Sequence, residues 1–427
     1  MNVVKSTIID KYFKIWAIVI PITSFLVIPS IQGTTPAYIL ALLSILMVHV
    51  LTKFKGKGSD YICDLLFFLY VYIFINLIGQ FYLSFDGKFT PDFSTVSLID
   101  NSDVSTTVLR KSMFTQSLYL LAAVATFVFV KNFYKQHWDK FLFLGACILG
   151  IYGVYEVTYF LLFHENGDFI SNRTFDGTHS GSLFQTISIG SLVLQRLKSL
   201  TGEPSMYAFT VLPYWIYAIH KKRTFIHLFL FITLMLTTST TAYIGIVIYI
   251  LIRICYFGIK DKITLFLIVI GLIVCLFNWD FISVFINATI LEKLSLGNQS
   301  GIERFMSFKS HIKFYESLPI FTQMFGMGFG VVRSTDMFST LLVNNGIIGF
   351  VLFTLLFFYP VFKLKNTYQN IGLKAALIVL YFSMMISVPE YSYLSTWLFL
   401  GMAYNMIQKQ NIAYNTSYTK SNLKITG

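Results

Sequence analysis

The chain has 427 residues, 56% of them hydrophobic and only 12% charged, with a mean hydropathy of +0.68. The apolar residues gather in runs close to the ~20 residues needed to cross a bilayer, which speaks against a soluble globular protein and for an all-α integral membrane protein. The net charge of +12 lies mostly in short loops between those runs, so no nucleic-acid partner is expected; the four cysteines (Cys63, Cys147, Cys255, Cys275) lack the paired spacing of a disulfide frame or zinc site.

Twelve runs, at about 13–31, 36–52, 62–83, 113–131, 140–163, 205–220, 224–238, 240–257, 262–278, 338–359, 373–389 and 392–408, predict twelve transmembrane helices. Lys5, Lys11 and Lys14 precede the first run and no small-residue cleavage site follows it, so it is expected to stay as a span. Thr237-Thr238-Ser239-Thr240-Thr241 is a thin separator between the seventh and eighth. Basic clusters at 53–57, 131–140, 220–223, 253–262 and 363–374 all fall on one side, which the positive-inside rule makes cytoplasmic, together with both termini. The chain thus reads as one polytopic domain, 1–427, with outer segments 84–112, 164–204 and 279–337 and a short cytoplasmic tail, 409–427. The third outer segment is long and amphipathic enough to hold short helices at the membrane surface.

Lysine and arginine sort differently under this topology. Nineteen of the 25 lysines are cytoplasmic, whereas five of the seven arginines (Arg110, Arg173, Arg196, Arg304 and Arg333) lie outside. Guanidinium offers a rigid fork that matches phosphate oxygens in pairs, while lysine is a compact, strongly hydrated point charge. The bland reading pairs these arginines with outer acids such as Glu303, Glu316 or Asp336. The sharper one gives them an outer-leaflet phosphate.

The first segment of interest runs Gln195-Arg196-Leu197-Lys198-Ser199-Leu200-Thr201-Gly202-Glu203-Pro204-Ser205. Proline and a carboxylate are both favoured in a first helical turn, so Glu203 serves equally as a helix-end residue or as a base for a sugar hydroxyl, seven residues from Arg196. In the second, Arg304, Ser307, Phe308, His311 and Tyr315 fall on one stripe of a surface helix, suited to a diphosphate and a sugar face. His311 alone is more often a partner-bonded histidine than a base. Pro319 to Gly330 then makes a glycine-rich return to the membrane, where backbone N–H groups at Gly328 and Gly330 are candidates for phosphate contact, although no dinucleotide fold surrounds them. Asn344-Asn345-Gly346-Ile347-Ile348-Gly349-Phe350 continues the tenth span.

An arginine followed by Gly-Glu-Pro-Ser opening a span, then an arginine helix, Pro…Gly-x-Gly-x-Gly and a Gly-Ile-Ile-Gly-Phe span, resembles the O-antigen and capsular polysaccharide polymerases, the Wzy class, which share a superfamily with the O-antigen ligases. The resemblance covers roughly residues 190–350. It implies a GT-C-like membrane glycosyltransferase that joins undecaprenyl-diphosphate-linked oligosaccharide repeat units at the outer face of the bacterial inner (plasma) membrane. No cofactor and no metal are expected: no two aspartates stand as Asp-x-Asp, and arginine can neutralise the departing diphosphate instead. The expected catalytic residues are Arg196, Arg304, Glu203 and His311; Lys198, Tyr315, Gly328, Gly330, Arg333 and Asp336 are expected to bind substrate. A flippase and a chain-length regulator of the same pathway are the expected protein partners. Ligases of this superfamily usually carry a histidine just before the Gly-Ile-Ile-Gly-Phe span, where this chain has Thr335-Asp336-Met337-Phe338. That departure makes a ligase the lesser alternative, and a lipid-oligosaccharide flippase or transporter is the other.

Overall fold

The computed structural model describes residues 3–29, 31–53, 55–85, 91–100, 106–174, 184–189, 192–277 and 299–425. Their helices are α1 (Val3–Val19), α2 (Pro36–Thr52), α3 (Lys57–Phe85), α4 (Lys111–Phe133), α5 (Asp139–Phe163), α6 (Pro204–His220), α7 (Thr224–Leu236), α8 (Thr240–Phe257), α9 (Lys262–Phe277), α10 (Gln299–Ser317), α11 (Ile320–Phe325), α12 (Met337–Lys363), α13 (Tyr368–Ile386) and α14 (Leu394–Ile425). A helix lies at the place of eleven of the twelve apolar runs; the first, 13–31, is displaced, because α1 ends at Val19 and the described chain beyond it to Thr35 is not helical. Six helices, α3, α4, α5, α8, α12 and α13, are long and apolar enough to cross a membrane, and α2 and α7 are shorter apolar helices. Parts of all three expected outer segments, including 278–298, lie outside the described residues.

Local chemistry sets the boundaries. Thr35 caps α2 ahead of Pro36, Thr367 caps α13, and Asp336 caps α12. The thin Thr/Ser separator is a true break: Thr237–Ser239 turns the chain between α7 and α8, with the β-branched Thr238 at φ 45°. One feature departs from an all-helical reading. Thr186–Ile189 and Leu192–Gln195 pair as an antiparallel hairpin, β1 and β2, with Thr186 opposite Gln195. Its two four-residue strands, with β-branched Thr186, Ile187, Ile189 and Val193, are too short to stand out beside long apolar runs.

The core is built by α14 lying along α4 and α13 along α6, with α12 against α13. Trp16, Trp138, Trp215 and Trp397 are fully buried in it. By contrast α3 is peripheral: Phe67, Tyr70, Phe74 and Phe81 are exposed along it, an apolar face fit for lipid.

Inside α12 the helix breaks at Gly346, whose φ of 65° and ψ of −174° no helix tolerates. The glycine-rich loop fills the break. Met327 and Gly328 N–H donate to the freed carbonyls of Val343 and Asn344, both at 2.9 Å. The Asn344 amide donates to Val332 O and accepts from Val332 N, each at 2.9 Å. On the other side Phe329 N–H donates to Asn76 Oδ1 at 2.6 Å, tying the loop to α3. A methyl on Gly326 would sit 2.3 Å from Asn344 O, so the close approach requires glycine there. In an apolar setting every such backbone group needs a partner, and loop and broken helix supply each other's.

Candidate functional site

One polar cavity of about 300 Å³ opens where the starts of α6 and α12, the helix α10 and the α13–α14 turn meet; Glu203, Arg304, Arg333, Arg173, Glu390 and Tyr393 line it. Glu203 is the residue before Pro204 and does not cap α6; its Oε1 accepts instead from the Ser205 hydroxyl. Arg304 projects from the exposed face of α10. Among the described residues no carboxylate or hydrogen-bond acceptor engages its guanidinium; only its backbone carbonyl is used, by the Thr335 hydroxyl at 3.4 Å. Arg333 is half-exposed and paired through Nη2 with Glu390 Oε1. Glu390 itself is buried, and Ser392 Oγ donates to its second oxygen at 2.7 Å. The neighbouring Glu390 carboxylate raises the Arg333 pKa against the opposing effect of burial, with Glu203 adding a smaller push in the same direction. Arg173 donates to Thr23 O at 3.0 Å and to Gln32 Oε1 at 3.3 Å, so it is anchored at the cavity wall.

Arg196 is not among the lining residues. Its guanidinium clasps the strained α7–α8 turn, with Nε donating to Thr238 Oγ1 (3.0 Å) and Thr237 O (3.2 Å) and Nη2 to Thr238 O (3.3 Å). Nη1 donates to Gln185 Oε1 at 2.7 Å, next to the β-hairpin. All these acceptors are neutral. Burial lowers the Arg196 pKa, Glu203 and Tyr243 oppose that, and Arg304 reinforces it, so Arg196 lies within electrostatic reach of the cavity without facing it. An arginine there remains charged.

The residues after Arg196 are also drawn inward. Lys198, expected to bind substrate, is fully buried, with Nζ 2.6 Å from Asp168 and 3.2 Å from Glu156 of α5. Its ammonium is spent on two carboxylates in a dry interior, where leaving that partner unmatched is expensive. Ser199 N–H donates to Glu156 at 2.8 Å, and Leu200 O accepts from Thr23 and Ser24 N–H, which nails the segment to the core.

Four other expectations for substrate contact do not match the geometry. Asp336 caps α12, accepting from Ser339 N (2.7 Å), Ser339 Oγ (2.7 Å) and Ser334 Oγ (2.9 Å), and is buried. Gly328 and Gly330 are buried in the loop described above, and the Gly328 N–H is already donated to Asn344 O. Tyr315 donates to Gln323 O at 3.0 Å and packs on the small apolar cluster beneath α10. His311, expected at the chemistry, is buried on the inner side of α10. Its Nδ1 lies 2.7 Å from Ser307 O, and its Nε2 has no partner among the described residues. Burial lowers its pKa, partly offset by Ser307 O and the Asp336 charge. The stripe pattern correctly groups residues on one face, but it does not say that part of that face turns inward.

Arg173, Glu390 and Tyr393 are among the cavity residues not assigned to the site in advance. Arg173 had only its outer position as a signal. Glu390 had one that was usable: it is a lone acid in the two-residue gap, 390–391, between apolar runs. Among the described residues the cavity therefore offers one unengaged guanidinium, one arginine–carboxylate pair, one anchored arginine and one lightly held carboxylate. That set can seat a multiply charged oxyanion beside a hydroxyl-bearing group. No protein-family model matches this chain, and no curated protein or solved structure is significantly similar to it.

Proposed function

We propose that the chain is a twelve-span glycosyltransferase of GT-C-like architecture in the bacterial inner membrane, with both termini cytoplasmic, which polymerises oligosaccharide repeat units carried on undecaprenyl diphosphate. The observation that carries this reading is Arg304: an arginine lining a cavity with a carboxylate, Glu203, while engaging no anion among the described residues. A cation left unmatched beside a cavity is poised for an anion from outside the chain.

In the reaction, the acceptor sugar's hydroxyl oxygen attacks the anomeric carbon of the growing chain, the bond from that carbon to the diphosphate oxygen breaks, and the hydroxyl proton passes to the Glu203 carboxylate. Arg304, assisted by Arg333, takes up the negative charge that grows on the leaving diphosphate. A preorganised donor of this kind is worth about 10²–10³ in turnover. Arg196 supports the site through the α7–α8 turn and its field rather than by direct contact. The test is Arg304→Ala in cells, scored by surface-glycan ladder length at matched protein level. Single-repeat product supports the reading; full-length ladders remove it.

One observation favours the transporter reading: Lys198, Glu156 and Asp168 form a buried cluster of titratable groups against α5, and such clusters mark proton or ion paths in carriers. A deletion strain separates the two. Loss of all surface glycan points to transport, whereas accumulation of single repeats points to polymerisation.

A further inference from the structure

Lys198 lies between Glu156 (3.2 Å) and Asp168 (2.6 Å), and no more than 2% of any of the three side chains is exposed. Tyr152 of α5 and Tyr207 of α6 are the other titratable groups within electrostatic reach of Glu156, and both are neutral phenols. With both acids ionised, one ammonium would face two carboxylates, and the second negative charge would sit in apolar surroundings at high cost. One proton on either acid removes it. Hydrogen bonding says which acid. Asp168 accepts from Lys198 Nζ, the Tyr152 hydroxyl (3.1 Å), Ile170 N–H (3.2 Å) and Ser171 N–H (3.0 Å), a donor set that suits a carboxylate. Glu156 accepts from Ser199 N–H at 2.8 Å and from the longer Lys198 contact. The ammonium already sits nearer Asp168, so Glu156 gives up less by being neutral.

The cluster is also a joint between two segments that reach the polar cavity. On one side Asp168 shapes the turn into Ser171, whose Oγ meets Ser24 Oγ at 2.7 Å, and Arg173 N–H donates to Ser24 O at 3.0 Å. On the other, Glu156 holds Ser199 at a φ of 53°, and that segment continues to Glu203. Ser24 N–H joins the two through Leu200 O at 3.1 Å. Arg173 and Glu203, the far ends of these segments, both line the cavity. We propose that Glu156 is a proton-binding site: at neutral pH it is a neutral carboxyl beside the Lys198–Asp168 ion pair, and its ionisation draws the ammonium away from Asp168 and loosens the seats of Arg173 and Glu203. Proton occupancy at Glu156 then sets how tightly the cavity holds an anion. This second step rests on reading the polar cavity as an anion seat; the first does not.

The experiment uses the full-length protein in detergent. Infrared difference spectra between pH 7 and 9 should show the C=O stretch of a protonated carboxyl disappearing as the pH rises, and Glu156→Gln should remove that band. At pH 7 Glu156→Gln, which mimics the neutral acid, should unfold close to the parent temperature. Asp168→Asn, which takes away the ammonium's ionised partner, should unfold far earlier or fail to accumulate. Sulfate, whose charge is fixed over this range, should bind about fivefold or more weaker at pH 9 than at pH 7, as two linked sites require, and equally at both in Glu156→Gln. His311 is already neutral across that interval and adds nothing to the trend. A spectrum without the band, a band that survives Glu156→Gln, or the reverse order of stability overturns the proton site. Sulfate binding that is absent or flat in the parent, or as steep in Glu156→Gln, overturns its link to the cavity. No arm requires sugar transfer. The expected band together with full glycan ladders from Arg304→Ala keeps the proton site and removes the polymerase; no band with lost ladders does the reverse.

Discussion

The guanidinium of Arg304 and the carboxylate of Glu203 line one cavity without forming an ion pair within 4.0 Å, and neither is neutralised by another charged side chain among the described residues. Opposite charges left apart at a cavity wall differ from the remaining arginines nearby, which are spent on Glu390, on backbone carbonyls or on amide oxygens. Because the Arg304 side chain makes no hydrogen bond or ion pair among the described residues, Arg304→Ala should leave the unfolding temperature in detergent essentially unchanged, within the ±0.5 kcal/mol or so typical of surface positions. Repeat-unit transfer in isolated membranes should fall by about 10²–10³, and Arg304→Lys, which keeps charge but loses the fork, should recover only part of it. A variant with normal stability and normal transfer would remove Arg304 from the chemistry.

Arg196 predicts the opposite pattern. Its four hydrogen bonds hold Thr237, Thr238 and Gln185, and Thr238 is a β-branched residue kept at φ 45°. Backbone strain of that kind persists only when surrounding contacts enforce it. Arg196→Ala should therefore lower stability by about 1–3 kcal/mol, the range for buried bonds to a charged donor, and reduce transfer as a consequence. Thr238→Gly removes the strain, so Arg196→Ala should be less destabilising in that background than alone. Additive losses in the double variant would show that the clasp does not serve the turn.

The sequence separates these two arginines only in part. Helix positions are legible because a span is a local property: residues 204–220 or 240–257 declare themselves by their own apolar content. Asp336 as a cap is also local, three residues before the Ser339 N–H it accepts from, but its place ahead of the Gly-Ile-Ile-Gly-Phe span put it among ligand candidates. Which guanidinium is engaged is not local. The acceptors of Arg196 lie on a turn 41 and 42 residues away, and the carboxylate of Arg333 lies 57 residues on. Lys198 gave no warning of its burial, because Asp168 and Glu156 become its partners only after α5 packs against the 196–202 segment. Glycine spacing likewise shows that a loop turns tightly, but not that its N–H groups will be consumed by a broken helix.

That buried cluster can be probed directly. Lys198→Met removes the one cation between Glu156 and Asp168, both almost fully enclosed. Leaving buried charge uncompensated should destabilise by about 3–5 kcal/mol, seen as poor yield and early thermal aggregation. Adding Glu156→Gln and Asp168→Asn should restore most of the loss, since the remaining groups are then neutral. Failure of the triple variant to recover would mean that the ammonium matters for more than charge balance.

His311 gives a pH dependence with a definite sign. Burial holds its folded pKa below the ordinary 6.5, so between those two values the unfolded chain carries a proton that the folded chain refuses. The unfolded state then binds more protons, and stability must rise with pH across that interval. It is fully present above pH 6.5 and is lost as pH falls toward the folded pKa. His311→Leu should flatten the slope of unfolding temperature between pH 7.5 and 5 relative to the parent, while changing little at pH 8. An unchanged slope would assign the acid sensitivity to other groups.

Gly346 carries the break in α12, and the fold tolerates no side chain there. Its φ is 65° with an extended ψ, a conformation open essentially to glycine, and a methyl group would lie 2.4 Å from the Met324 backbone carbonyl carbon and oxygen. Gly346→Ala must therefore either re-form a continuous helix or push α11 away. The first removes the acceptors now used by Met327 and Gly328; the second unseats the loop that leads to Arg333. Both routes disturb Arg333, Ser334 and Thr335, which follow that loop and line the polar cavity. The expected result is a loss of more than about 2 kcal/mol in stability together with weakened anion binding, even though Gly346 touches neither Arg304 nor Glu203. Gly349→Ala is the control. It lies one turn further along the same helix at an ordinary φ, so its added methyl meets Asn345 Cβ at 2.3 Å without the backbone strain that adds to the clash at Gly346, and its loss should be smaller. Equal losses at the two positions would place the sensitivity in the packing of α12 as a whole rather than in its break.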